Sequence, residues 1–136
     1  MSTLAVGTIK SISSAAPVFQ NTSGTEKGQL AKSWIAFNGV GTVSIYDSFN
    51  VSSLTDNGTG DYSITMSNAM SNANYSVSAS SGLGTTSYVS PHIHAVSASP
   101  FTQAPTTTVY RIVLSGDFGS TNVQDSARVA CSVFGD

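Results

Sequence analysis

Ser33-Trp34-Ile35-Ala36-Phe37-Asn38-Gly39-Val40-Gly41-Thr42-Val43-Ser44-Ile45 is the stretch that decides the fold. Side chains along a strand alternate between its two faces. From Lys32 to Asn38, Trp34 and Ala36 therefore share one face, and Ile35 and Phe37 share the other. Asn38-Gly39 then supplies a hairpin signal, because both residues tolerate the positive φ of a tight turn. From Gly41 to Ser48 the alternation resumes, with Val43 and Ile45 on one side. Strand, turn and returning strand are read from a period of two, and helical spacing is absent. The two large rings project to opposite faces. One therefore belongs to a core and the other to a sheet or subunit contact. Lying in the strongest strand pattern, Trp34 reads as core rather than as a platform for a sugar.

The same pattern extends both ways along the chain. Upstream, Thr3 to Lys10 reads as a strand, and Ser13 to Gly28 is a connector rich in Ser, Pro, Asn and Gly. Downstream, Phe49 to Leu54 is a short extended run. The stretch from Thr55 to Asp61, with Asn57-Gly58 and Gly60 inside it, is turn chemistry throughout. Tyr62, Ile64 and Met66 alternate cleanly, as do Tyr75, Val77 and Ala79, and Ser67 to Asn74 forms a polar connection with room for one helical turn. Tyr88 to Val96 is a further strand candidate, followed by a Pro/Thr-rich loop from Ser99 to Pro105. Thr108 to Ser115 and Ser126 to Phe134 close the chain as strong strands. Eight or nine short strands separated by turns predict an all-β antiparallel sandwich, jelly-roll-like, with an extended N-terminal arm. Residues 1–32 form the arm in this reading, and residues 33–136 the sandwich head.

Composition narrows the function. Charged residues are 9% of the 136, against about 25% in a typical soluble domain. Their place is taken by 25 Ser, 15 Thr, 12 Gly and 8 Asn, residues that favour turns and exposed strand faces over helix interiors. The five basic residues, Lys10, Lys27, Lys32, Arg111 and Arg128, are scattered, so no basic stripe exists to neutralise phosphates and nucleic-acid binding is not expected. The first residues, Met1 to Gly7, lack the basic and apolar regions of a signal peptide, and no apolar run is long enough to insert in a membrane. Cys131 is the one cysteine and shares a strand face with Val129 and Val133, which reads as a small buried thiol. Synthesis in a reducing cytoplasm without secretion is the corresponding expectation.

Catalytic chemistry has little to work with. Glu26 is the sole glutamate, and Asp47, Asp56, Asp61, Asp117 and Asp125 fall mostly at strand ends, where Asx-turns account for them. No nucleophile elbow, phosphate-binding loop or dinucleotide fingerprint occurs, so the chain is read as non-enzymatic, with no cofactor. Four Asn-x-Ser/Thr sequons, at Asn21, Asn50, Asn57 and Asn74, are what so many hydroxyl residues produce by chance. The sharpest constellation is Pro91-His92-Ile93-His94, whose two histidines share a strand face. One chain offers only two nitrogens there, and three chains about a three-fold axis would offer six, an octahedral set for a divalent metal ion. The bland alternative is two polar residues on a strand face. Tyr88 and Phe101 are the candidate surface-contact aromatics.

Four blocks carry a resemblance: Ser33 to Ile45; Asp47-Ser48-Phe49-Asn50-Val51-Ser52-Ser53-Leu54-Thr55-Asp56-Asn57-Gly58-Thr59-Gly60-Asp61-Tyr62; Met70-Ser71-Asn72-Ala73-Asn74-Tyr75-Ser76-Val77; and Arg111 to Phe134. Together they resemble the tail-fibre-like virion structural proteins of marine bacteriophages, cyanophages among them. Thr3 to Lys10 resembles the short strand that opens many such chains, and Pro17 to Glu26 their connector. The resemblance implies a homotrimeric fibre or fibre-tip subunit that contacts the host surface, made in the host bacterial cytoplasm and carried on the virion. A capsid decoration protein cementing neighbouring capsomers is the alternative, and a host-glycan binding module is the third. The expected partners are sister chains, other phage virion proteins of the tail or capsid, and a host cell-surface glycan.

Overall fold

In the computed structural model, the residues described are 18–20, 22–82, 90–92, 104–115 and 123–135. They form ten strands: β1 (Val18–Gln20), β2 (Glu26–Gln29), β3 (Ser33–Asn38), β4 (Ser44–Phe49), β5 (Val51–Gly58), β6 (Asp61–Met66), β7 (Ser76–Ser81), β8 (Ser90–His92), β9 (Val109–Ser115) and β10 (Val129–Phe134). Among the described residues there is no helix, including the one turn of helix expected between Ser67 and Asn74. Two four-stranded antiparallel sheets, ordered β4-β3-β10-β7 and β5-β6-β9-β8, make the sandwich. β1 and β2 pair only with each other, so the expected connector carries a hairpin. The hairpins β3–β4 and β5–β6 stay side by side, while β10 returns to lie between β3 and β7.

The core is built from the four inner strands. Ile35 and Phe37 of β3 and Val129, Cys131 and Val133 of β10 face Tyr62, Ile64 and Met66 of β6 and Tyr110, Ile112 and Leu114 of β9. Alternation selects these residues, since each set is spaced by two along its strand. The Phe37 ring meets Tyr62 edge-on, centroids 5.0 Å apart, an arrangement that aromatic quadrupoles favour. Truncating Phe37 to alanine removes a fully buried ring, worth about 3–5 kcal/mol. Cys131 lies on the core face with Val129 and Val133, as the sequence implied, and burial pushes its thiol pKa up to about 12.

Trp34 departs from its sequence reading. The buried positions of β3 are Ser33, Ile35 and Phe37, so the tryptophan projects to the outer face and is only half-buried. Serine can hold a core position because its hydroxyl is spent on backbone. Ser33 Oγ donates to the carbonyls of Phe49 (3.2 Å) and Asn50 (3.3 Å).

Corners decide where the chain changes sheet. The run from Phe49 to Leu54, read as one strand, breaks at Asn50, which adopts φ 56° and ends β4 while starting β5 in the other sheet. Asparagine accepts left-handed backbone more readily than most residues, and here its amide ties the corner to two neighbours. Asn50 Nδ2 donates to Lys32 O (3.0 Å), and Asn50 Oδ1 accepts from the backbone N–H of Asn68 (2.7 Å). The turn expected over Thr55 to Asp61 shrinks to Thr59-Gly60, because β5 runs on through Gly58. Local side chains support that extension: Gly58 N–H donates to Asp56 Oδ1 (2.9 Å), and Asn57 Nδ2 to Ser63 Oγ (2.8 Å).

Candidate functional site

The outer face of the β4-β3-β10-β7 sheet is the surface whose chemistry calls for an explanation. Strand register lays it out as a grid. One row runs Phe49, Trp34, Ser132, Ser78, and the next runs Asp47, Ala36, Ala130, Ser80. Phe134 and Ser76 extend it beyond the first row, at the end where the chain enters β3. An aromatic ridge of Phe49, Trp34 and Phe134 thus borders a lane of alanines and serines.

Along this face and the adjoining β4 edge, Ile45 is 41% exposed, Tyr46 53%, Phe49 55% and Phe134 40%. A buried aromatic removes about 150–250 Å² from water, so these fractions leave about 400 Å² of apolar surface in solvent. A patch of that size is comparable with the largest found on monomeric proteins, which are often functional. β4 is also an edge strand, and among its residues Asp47 is the sole charge that would discourage strand-to-strand contact.

The far end of the face is pinned. Tyr46 Oη donates to Ala127 O (2.9 Å), and the Arg128 guanidinium sits 5.5 Å from the centre of the Tyr46 ring, within reach of a cation–π attraction. A register shift in β4 opposite Ala36 and Phe37 leaves Tyr46 out of the pairing, which aims its ring toward Arg128. That end of the face therefore stands on a fixed backbone.

The opposite sheet presents a different outer face. There Asp61 and Val113 are buried, and Arg111 forms a two-pronged ion pair with Asp61, Nε to Oδ1 at 2.6 Å and Nη2 to Oδ2. Hydrogen bonding to that carboxylate raises the guanidinium pKa. Asn57 Nδ2 also donates to Asp61 Oδ1 (3.3 Å). The sequence reading explained Asp61 as a turn residue; register instead places it diagonally from Arg111 across β6 and β9. Asp125 was likewise read as a turn residue, yet its Oδ1 accepts from Gly60 N–H (2.7 Å) and Tyr62 Oη (2.7 Å). Burial, reinforced by that carboxylate, raises the Tyr62 pKa. Both arrangements are structural, holding the β5–β6 hairpin to β9 and to the segment before β10.

Of the residues singled out in the sequence, the structure places His92 at the end of edge strand β8, its backbone opposite Val113. His94, Tyr88 and Phe101 lie outside the described residues, as does the strand expected from Thr3 to Lys10. Among the described residues, no three His, Cys, Asp or Glu side chains are grouped to hold a metal. Also among the described residues, no helix is long and apolar enough to cross a membrane. Phe49, Phe134 and Tyr46 were not picked out by sequence reasoning. Their only signal was parity, since each falls on the opposite face from its strand's buried partners or on an edge. Comparison with protein-family models, curated proteins and solved structures finds no match to this chain.

Proposed function

We propose that this chain is a structural component of a bacteriophage virion, a homotrimeric tail-fibre or fibre-tip subunit. The observation that carries the reading is the pair of solvent-exposed rings, Phe49 and Phe134, flanking the half-buried Trp34 on one sheet face. Interfaces between proteins are enriched in aromatic residues and depleted of charge at their centre, and closed symmetry stops such faces from propagating. The resemblance of residues 33–62 to tail-fibre-like proteins supports the same reading and supplies the number three. Residues 1–32 serve as the attachment arm and residues 33–136 as the head.

Immunogold electron microscopy on particles of the phage carrying this gene tests it, using antibody raised against the purified chain. Label at the tail or fibre tip is the expected result. Label over the capsid shell would favour a decoration protein, and particles free of label would refute the virion reading.

A further inference from the structure

We infer that copies of this chain are joined by arm exchange: the β1–β2 hairpin of one copy seats on the aromatic ridge of the next. This deepens the multi-copy part of the reading above and rests on it. The occupant is identified by what the chain itself leaves uncovered. A two-stranded hairpin alone is at best marginally stable in water, and β1–β2 joins neither sheet of the sandwich. It carries Phe19, 49% exposed, and is followed by Leu30, 52% exposed. Each of these apolar side chains is therefore about half open to solvent.

The acceptor lies at the same end of the molecule. The backbone is locked onto the sandwich from Lys32 onward, where Lys32 N–H donates to Val133 O (2.9 Å) and Lys32 O accepts from Asn50. β2 ends at Gln29, so three residues separate the hairpin from β3. The hairpin therefore joins the sandwich at the end that carries Phe134, Trp34 and Phe49, and it pairs with neither sheet there. Donor and acceptor are different surfaces of one chain, so the contact is heterologous and closes into a ring only when the rotation per copy permits. The ridge and the adjoining β4 edge together expose about 400 Å², roughly half of the 800 Å² per partner in a standard interface.

Light scattering on the full-length chain tests the inference with two variants, Phe19→Asp in the arm and Phe49→Asp on the ridge. Both residues are about half exposed, so circular dichroism should show unchanged β structure; Leu30→Asp and Phe134→Asp replace either variant that fails to fold. The wild-type chain is expected at three times the 14.0 kDa chain mass, and each variant alone at the single-chain mass. An equimolar mixture of the two, raised to the solubility limit, is expected to give a two-chain species. One intact arm can reach one intact ridge there, and no ring can close. Assembly of the arm variant as well as the wild type would overturn the inference in favour of ridge-to-ridge contact. A monomeric wild type, or a mixture that stays monomeric, would also overturn it. A monomer that still labels phage particles would sink arm exchange and leave the virion reading standing.

Discussion

Gly39 sits beneath the Tyr62 hydroxyl, and the pair offers a direct test of how the sandwich is held at its turn. A Cβ added at Gly39 would run into Tyr62 Oη and lie 2.8 Å from its Cζ and 3.1 Å from Ser126 O. Ordinary contact is about 3.5–4.0 Å, so in Gly39→Ala the ring must retreat by about 1 Å. That movement stretches the contacts Tyr62 Oη makes with Gly39 O (2.9 Å) and Asp125 Oδ1 (2.7 Å). Overpacking costs about 1–3 kcal/mol, and stranding a buried acceptor costs about 1–3 kcal/mol more. The expected loss for Gly39→Ala is thus about 2–5 kcal/mol. Tyr62→Phe alone forfeits a hydrogen bond to a carboxylate, worth about 1.5–3 kcal/mol. In the double variant the clashing oxygen is gone, so the two losses should overlap by about 1 kcal/mol or more. Urea unfolding at fixed protein concentration, followed through the single tryptophan Trp34, measures all four corners of the cycle. A slope of about 1–3 kcal/mol per molar makes each effect a clear midpoint shift. Losses that add to within about 0.5 kcal/mol would refute the proposed contact.

Other perturbations separate the remaining features. Tyr110 is as buried as Tyr62, but among the described residues its hydroxyl has no hydrogen-bond partner; Tyr110→Phe should be neutral or stabilise by up to about 1 kcal/mol in the same assay, unlike Tyr62→Phe. Asn50→Gly keeps the left-handed corner and loses its side-chain bonds, costing about 1–3 kcal/mol, while Asn50→Ala should cost about 1 kcal/mol more through backbone strain; an equal loss would place the whole effect in the hydrogen bonds. Arg111→Met leaves the Asp61 carboxylate buried without its cation and should cost about 2–4 kcal/mol, since a broken buried pair costs about 3–5 and Arg111 reaches partly into solvent. Calorimetry showing less than about 0.5 kcal/mol would make the pair dispensable. The Cys131 thiol has its pKa raised from 9.0 to about 12, so its contribution is complete below pH 9 and is lost as pH rises from 9 toward 12, at up to about 1.4 kcal/mol per pH unit. Urea midpoints against pH should therefore fall less steeply above pH 9 in Cys131→Ala, and identical slopes would argue against a buried thiol.

Much of this molecule follows from the order of its residues alone. Apolar side chains two apart, as in Ile35 and Phe37, Tyr62, Ile64 and Met66, or Val129, Cys131 and Val133, can share a surface only on extended backbone. A chain made of such runs separated by Asn, Gly and Ser therefore points to a sandwich of antiparallel strands. That periodicity is local, and so the fold class and the burial of Cys131 were legible. Which of two alternating faces turns inward is not local. Trp34 outranks Ile35 in apolar surface, yet it points outward because β3 lies between β4 and β10 with Ser33, Ile35 and Phe37 toward β6 and β9. Strand order made the same decision for Asp61. Placed at a strand start it looks like a turn residue, and only pairing with β9 brings Arg111 diagonally across from it. Asp125 and Tyr62, 63 residues apart in sequence, meet for the same reason. Periodicity fixes how residues are spaced within a strand, whereas the partner across the sheet is chosen by the folded chain as a whole, and the outer-face ridge of Phe49, Trp34 and Phe134 exists only at that level.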